Sequence, residues 1–546
     1  MVHTLLAPAL LHHHLRSLIP LDIRSPVHVQ NLALLLRHHP DQSLSHFLLH
    51  GFSFGFSLGV HGAVRCGLLP NLASSRSKAG EVTKAIATEV ARGHSHGPFP
   101  FPPFANFHAA PLGIVSKKSV SFRLILDLST NHAGSVNGGI DIADFTVTYC
   151  SFDDVVDLVR AAGVSPFMAK LDIKHAFRLC PVRPSEWPLL CFHWLNRYYF
   201  DSRLPFGLRS SPFIFNSLAD ALQWCCTFFL AISFLIHYLD DFFLCTSSAE
   251  SCRRALSSII SLFKFLGIPL AEGKVEGPAP TIVFLGIEID TPSWSIRLPP
   301  EKFHALMSSL SSWHDRSTCT KRELLSLIGH LSFAARVVKP GRLFLRRLIS
   351  LSTSVSSLGH HLRLSSEAQA DIRWWLDFLP SWNGRSFIPP PPVSNVELQL
   401  YTDASALGLG GTFGSHWFAV QLSVFSSLSW QPESFNITYW ELFALVIAIF
   451  IWAPSLAERE VVLNTDNQAL LAIWSNGSSV KPIMRLVRAL FFRLARFNIN
   501  LLLNHIPGST NVNADLLSRF QVRRFLELNP DADTDNSPCP PDIWEI

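Results

Sequence analysis

Residues 234–244 read Phe-Leu-Ile-His-Tyr-Leu-Asp-Asp-Phe-Phe-Leu, so Asp240 and Asp241 sit side by side inside an apolar and aromatic run. Desolvating an unpaired carboxylate is expensive, so such acids need water, a cation or strong hydrogen-bond donors. The local structure that meets this demand most simply is a hairpin whose flanks are buried strands and whose tip exposes the acid pair. An ordinary Asp-Asp turn would satisfy the same pattern. The rest of the chain decides between a turn and a site.

At 546 residues the chain is too long for one core and is expected to form several domains. Residues 1–78, rich in Leu, His, Ser and Phe, show no steady period and read as an unassigned extension, disordered or otherwise. Organisation begins at residue 79. Residues 81–92 predict a helix with Val82, Ile86 and Val90 on one face, and the proline-rich stretch 97–104 predicts an extended arm. Residues 111–129 predict a two-stranded hairpin projecting Lys117, Lys118 and Arg123. These are ordinary surface cations, or a clamp on a triphosphate, since cations must oppose charge on a transferred phosphoryl group.

A helix over 152–164 and a strand over 167–173 follow, with Asp172 near the strand's end and Phe177 shortly after. Paired apolar segments at 188–200, a loop at Gly207, a long apolar helix, the Asp-Asp hairpin, a helix over 249–265 and one strand over 282–289 complete an α+β domain spanning 79–295. Residues 296–388 read as helices carrying Arg322, Arg336, Lys339, Arg342, Arg346 and Arg347, either a solvated face or a track for a phosphate backbone.

A proline-rich linker over 389–395 leads to a second catalytic candidate at 396–520. There an alternating strand ends at Asp403, and the glycines after it predict a tight turn into a second strand. Glu441 lies early in a helix over 438–451, Asp466 follows a strand, and His505 and Asp515 come last. The element order predicts a mixed sheet flanked by helices. Residues 521–546 form an acidic, proline-bearing tail.

Two carboxylate sets therefore stand out: Asp172 with Asp240 and Asp241, and Asp403 with Glu441, Asp466 and Asp515. Neighbouring carboxylates cannot all ionise cheaply unless a cation sits among them. Hard oxygen ligands with open positions suit Mg²⁺, and a pair of ions at each set could activate an attacking oxygen and hold a leaving one. Spacing alone proves nothing for the second set; its apolar local contexts are the informative part.

Composition adds exclusions. Only 16% of residues are charged and the net charge is +4, which permits a nucleic-acid partner without requiring one. Ten scattered cysteines without a Cys-x-x-Cys pair indicate neither a disulfide framework nor a zinc knuckle. The apolar stretches 224–239 and 443–453 fall short of the roughly 20 residues a membrane span needs. The N-terminus lacks the pattern of a secretion signal, so the expected location is cytoplasm or nucleus.

Asp172 with Phe177, the run Leu204-Pro205-Phe206-Gly207-Leu208-Arg209-Ser210-Ser211-Pro212, Tyr238-Leu239-Asp240-Asp241, Lys274 and Phe284-Leu285-Gly286 resemble, in order, the palm motifs of retroelement reverse transcriptases. Tyr401-Thr402-Asp403-Ala404-Ser405, Glu441, Thr465-Asp466-Asn467 and Asn513 to Arg519 resemble the ribonuclease H domain that follows such polymerases. Gly97-Pro98-Phe99, residues 111–118, Ser135-Val136-Asn137 and Pro340-Gly341-Arg342 look most like the DIRS-type retrotransposons, mobilised by a tyrosine recombinase.

The resemblance implies a right-hand polymerase with palm and fingers, a helical thumb or connection, and an α/β ribonuclease H-like domain. Asp172, Asp240 and Asp241 would hold the polymerase metal ions, and Asp403, Glu441, Asp466 and Asp515 those of the nuclease. The ions would be Mg²⁺ or Mn²⁺, two per centre. Arg123 with Lys117 or Lys118 would bind the triphosphate, alongside Gly207 and Lys274, and Phe177 would exclude a ribose 2′-hydroxyl. His505 precedes Ile506-Pro507-Gly508, which leaves catalytic, structural and substrate-contacting roles open. Implied partners are an RNA template, a DNA primer, the RNA–DNA hybrid and deoxynucleoside triphosphates, with capsid and recombinase proteins encoded elsewhere in the element and no membrane. Two rivals remain: an inactive or domesticated copy that only binds nucleic acid, and a nuclease carried beside a structural polymerase domain.

Overall fold

The computed structural model describes residues 23, 25–116, 122–130, 134–381, 385–387, 399–423, 436–476, 478, 480–541 and 543. The chain divides into two compact units, Met1–Pro280 and Thr281–Ile546. The linker expected at 389–395 lies outside the described residues.

In the first unit, helices α1 (Val29–Leu36) and α2 (Gln42–Phe54) occupy the stretch to which the sequence assigned no fold. Asp41 caps α2 by accepting hydrogen bonds from the backbone of Ser43 and Leu44, leaving fewer orphan amides. Leu32, Leu36, Leu48 and Phe52 belong to the same apolar core as Leu171, Leu222 and Phe263. From Val27 onward this stretch packs into the unit's core rather than forming an appendage. Histidines and serines interspersed with the leucines obscure its helical period.

Helix α3 (Ala79–Ala91) buries Val82 and Ile86 as expected. Strand β1 (Ser95–Phe99) continues from it, and β2 (Leu112–Ser116) pairs antiparallel with β3 (Phe122–Leu126). Helix α4 (Phe152–Ala161) starts on a reciprocal cap between Ser151 and Asp154 and leads into β4 (Phe167–Asp172). Strands β5 (Cys191–Trp194) and β6 (Arg197–Asp201) form a hairpin, with β1 paired to β6. The 20-residue helix α5 (Ser211–Leu230) precedes the central hairpin, β7 (Leu235–Tyr238) and β8 (Asp241–Thr246). Helix α6 (Ala249–Leu266) and β9 (Glu276–Ala279) follow, giving an antiparallel sheet in the order β9-β4-β8-β7.

The second unit opens with β10 (Thr281–Phe284) and β11 (Ile287–Asp290). The sequence predicted one strand here, within the first domain. Leu285 (φ 46°) and Gly286 (φ 77°) instead make a two-residue turn with left-handed backbone at both positions, the geometry that matches the twist of a hairpin. Strand β12 (Ser295–Arg297) extends this sheet. Helices α7 (Pro300–Ser311), α8 (Lys321–Ala334), α9 (Arg346–Thr353) and α10 (Ser366–Ser381) make the helical stretch.

A five-stranded mixed sheet follows, in the order β15-β14-β13-β16-β17: β13 (Gln399–Ala404), β14 (Gly408–Phe413), β15 (His416–Gln421), β16 (Glu460–Thr465) and β17 (Asn500–His505). Strands β13, β16 and β17 run parallel to one another. Helix α11 (Ile437–Leu456) is apolar nearly all round, as a core helix must be when it is buried on every side. Helices α12 (Gln468–Asn476), α13 (Lys481–Arg496), α14 (Val512–Ser518) and α15 (Val522–Leu528) complete the unit.

Two sequence readings change here. The glycines after Asp403 lie within β14 rather than in the turn, which is Ser405–Leu407. A Cβ on Gly410 would stand 2.5 Å from the Ser518 nitrogen, so glycine is required for α14 to approach the strand. The apolar stretch 224–239 divides between the end of α5 and strand β7, whereas 443–453 lies inside α11. Both helices are long and apolar enough to cross a membrane, and α11 buries 78% of its most apolar window inside the unit.

Candidate active sites in two carboxylate centres

Strands β4 and β8 pair with Asp241 directly opposite Asp172, and the turn Leu239-Asp240 joins β8 to β7. The predicted hairpin therefore places its acid pair beside the acid at the end of the adjoining strand. Asp172 is 7% exposed, and its Oδ2 lies 2.6 Å from Lys274 Nζ. Burial, the charges of Asp240 and Asp172, and a hydrogen bond shared with Asp172 push the Asp241 carboxyl up to about 7. Burial and the Asp172 charge raise Asp240 as well. Neighbouring anions at low dielectric resist ionisation until a cation joins them.

A cavity of about 460 Å³ opens beside these acids, with Asp172, Asp240, Lys274, Arg123 and Phe206 among its lining. Arg123 stacks on the Phe206 ring at 4.2 Å from its centroid, which fixes the direction of the guanidinium. Phe177 packs on Phe206 (5.2 Å) and Phe215 (5.9 Å). Gly207 adopts φ +108°, and a Cβ there would lie 2.0 Å from the Leu126 carbonyl oxygen, so its position is explained by backbone approach. Lys117 and Lys118 lie outside the described residues.

The second unit gathers Asp403, Glu441 and Asp466 from β13, α11 and the end of β16, with one oxygen of each within 4.8 Å of the others. Glu441 Oε2 is buried without a hydrogen-bond partner, and burial with the charges of Asp403 and Asp466 raises that carboxyl to about 9. Asp403 rises to about 6 through burial, despite a hydrogen bond from the Ser518 hydroxyl. An orphaned buried oxygen facing two further carboxylates is what a divalent cation satisfies, so this cluster is compatible with a metal site. Among the described residues only this centre gathers three such ligands so closely. At the first centre, Lys274 already neutralises Asp172.

Asp515 stands apart from that trio and pairs with Arg519 at 2.7 Å, although its charge reaches Asp403. His505 ends β17 opposite Thr465, with its Nε2 3.2 Å from the Asp466 carbonyl. The histidine therefore sits against the Asp466 backbone. Sequence reasoning missed Ser518, which holds Asp403, and Asn511, whose side-chain amide donates to the Thr402 carbonyl beneath it. Both lie within or beside the run leading to Arg519, so proximity to Asp515 was the available signal. A larger cavity in the second unit, about 490 Å³ and lined chiefly by apolar side chains such as Val337, Phe378 and Phe491, includes none of these acids.

Residues 117–289 match the family described as reverse transcriptase (RNA-dependent DNA polymerase). Polyprotein P3 of Commelina yellow mottle virus is 23% identical over 394 residues, covering 70% of this chain and 20% of that protein. The retrovirus-related Pol polyprotein from transposon opus of Drosophila melanogaster is 22% identical over 446 residues, covering 78% and 41%. The chain thus spans less than half the length of these relatives. Among solved structures, a foamy viral protease-reverse transcriptase in complex with double-stranded DNA aligns with TM-score 0.50 at 14% identity, covering 89% of this chain and 99% of that one. Its dRH form in complex with double-stranded DNA aligns with TM-score 0.51 at 15% identity, covering 89% and 83%. At such identities the likeness establishes an α+β fold of mixed helical and sheet regions resembling that architecture. Motifs and family match together support a retroelement-type reverse transcriptase region over residues 117–289, within a fold whose likeness to the foamy viral structures covers 89% of the chain.

Proposed function

We propose that the chain is an RNA-directed DNA polymerase with ribonuclease H activity, copying a retroelement RNA into DNA and degrading the RNA of the hybrid. The supporting observation is the presence of two separate carboxylate centres, one in each unit, both in surroundings that resist ionisation of the acids. In this reading residues 79–295 serve as fingers and palm, 296–388 as thumb or connection, and 396–520 as the nuclease.

Asp172, Asp240 and Asp241 would hold ions in the first centre, and Asp403, Glu441, Asp466 and Asp515 in the second. Mg²⁺, with Mn²⁺ as a substitute and two ions per centre, would supply charge compensation and activation of the attacking oxygen. The chain's own contribution is positioning. Arg123, oriented by Phe206, faces the cavity that would receive a deoxynucleoside triphosphate, and Lys117 or Lys118 would share in binding it. Phe177 would fill the space of a 2′-hydroxyl. Lys274 holds Asp172 and stands ready to oppose phosphate charge. Asp515 would join the nuclease centre by releasing Arg519, and His505 would contact the hybrid.

The partners would be an RNA template and a DNA primer, with capsid and recombinase proteins of a DIRS-type element, in cytoplasm or nucleus. One observation favours a narrower reading, a nuclease beside a structural polymerase domain: the tight trio of acids lies in the second unit alone among the described residues. Primer extension on poly(rA) with Mg²⁺ or Mn²⁺ separates the two. Incorporation of deoxythymidylate that disappears in Asp240→Asn supports the polymerase; no incorporation in either metal, with RNA cleavage intact, leaves the nuclease alone.

A further inference from the structure

The segment that follows Asp172 is held by a buried ion network. Asp172 ends β4, and the next turn passes through two residues with left-handed backbone, His175 (φ 70°) and Ala176 (φ 34°), before Phe177 and Arg178. Residues other than glycine persist in that region only where their surroundings over-determine them. Arg178, whose backbone nitrogen donates to the His175 carbonyl at 2.8 Å, anchors the far side of this turn and is 7% exposed. Its Nε lies 3.1 Å from Glu89 Oε2 on α3, and its Nη1 lies 2.7 Å from Asp201 Oδ2 at the end of β6. Asp201 also accepts from the Ser95 hydroxyl on β1. Glu89 Oε2 lies 3.0 Å from His94 Nδ1, and the His94 ring meets His175 edge-on at 5.4 Å.

One guanidinium therefore ties a helix, a strand end and the turn after Asp172 together. Its donors form a rigid fork, so the two carboxylates cannot shift relative to each other without losing a bond. Glu89, Arg178 and His175 also line the cavity that contains Asp172 and Asp240. Burial alone would raise the Glu89 carboxyl, but the His94 hydrogen bond and the charges of Arg178, His94 and Arg92 outweigh it and hold the group at about 2. The carboxylate is thus ionised wherever the protein would work. Phe177 is the immediate neighbour of Arg178, so the position of its ring against Phe206 is set by where the fork holds the turn.

We infer that Arg178, clamped between Glu89 and Asp201, is a positioning residue that sets the place of Phe177 in the nucleotide pocket and thereby the selection of deoxyribonucleoside over ribonucleoside triphosphates. The inference rests on the polymerase reading and deepens it: Phe177 supplies the ring and the Arg178 network supplies its position.

The test compares the full chain with Glu89→Gln and Arg178→Lys. Gln keeps the size of Glu89 without its charge, and Lys keeps the charge of Arg178 without the fork. Steady-state extension with dTTP and with UTP on poly(rA), in the presence of Mg²⁺, gives kcat and KM for each nucleotide. Cleavage of a labelled RNA strand by the same preparation serves as an internal control. The expected result is a fall of about tenfold in the ratio of kcat/KM for dTTP over UTP, carried mainly by KM, with RNA cleavage unchanged. If Arg178→Lys does not fold, Glu89→Gln, whose side chain is 18% exposed, carries the test. An unaltered ratio in folded Glu89→Gln overturns the inference, because a network serving cohesion alone would lower thermal stability without moving selectivity. Absence of extension by the unaltered chain removes the polymerase reading itself, and the inference with it.

Discussion

Asp241 on β8 lies directly opposite Asp172 on β4 in the antiparallel register, so two carboxylates share one rung of a sheet. Like charges directly opposite each other destabilise a strand pair, and here a third acid, Asp240, adjoins them. The fold tolerates the arrangement because Lys274 neutralises Asp172 and because Asp241 resists ionisation up to about 7. A cation at the centre would relieve the rest.

Metal ions and protons should therefore compete for these carboxylates. Asp241, Asp403 and Glu441 have folded-state values of about 7, 6 and 9, all above their ordinary values of 3.8, 3.8 and 4.5. The folded state then binds more protons than the unfolded one in the window from about 4 to about 9, so in chelator stability falls as pH rises through it. Mn²⁺ is expected to raise the thermal midpoint clearly at pH 8.5 and far less at pH 5.5. A metal effect of equal size at both pH values would contradict this.

Glu441 illustrates how a site costs stability. Its unpartnered buried oxygen makes Glu441→Gln stabilising in chelator at pH 8, by about 1–3 kcal/mol, while hybrid cleavage is lost. Urea unfolding at that pH reads the first effect. A variant that is less stable than the parent under metal-free conditions would show that Glu441 is satisfied by the protein.

His237 titrates with the opposite sign. Burial holds its imidazole down to about 4 from an ordinary 6.5. Its contribution is complete above 6.5 and is lost as pH falls from 6.5 towards 4, reaching about 3 kcal/mol. The ring meets Gln223 Oε1 at 2.7 Å, so His237→Asn keeps a polar partner without the titration. The difference between the two stability curves should grow with pH across that window, and a flat difference would exclude the assignment.

Gly207 is expected to act through the fold. Gly207→Ala forces a Cβ to within 2.0 Å of the Leu126 oxygen at a backbone φ of +108°, which should cost about 2 kcal/mol or more in urea unfolding. Full stability with lost extension would instead mark a direct substrate contact.

Much of this was legible in the sequence because charge inside apolar runs is rare. Asp240 and Asp241 announced a hairpin, although Asp241 opens β8 and both acids are half-buried rather than exposed at a tip. Asp172, Asp403 and Asp466 lay at or just beyond strand ends, as expected. Other features depended on tertiary partners. The leucines of α1 and α2 find their core only against α5 and α6, so no local period revealed them. Gly410 looked like a turn residue, yet its role is fixed by α14, more than 100 positions later. Arg178, Glu89 and Asp201 look like ordinary surface charges until three elements converge on them. Asp515 was grouped with three acids, and the structure pairs it with Arg519.

The most direct test of two separate centres is a crossed experiment on the full chain. Asp240→Asn and Glu441→Gln are each assayed with Mg²⁺ for primer extension on an RNA template and, in the same tube, for cleavage of that RNA in the hybrid. The account predicts that Asp240→Asn loses extension and keeps cleavage, whereas Glu441→Gln keeps extension and loses cleavage. Loss of both activities in either folded variant, or extension that survives Asp240→Asn, would contradict it.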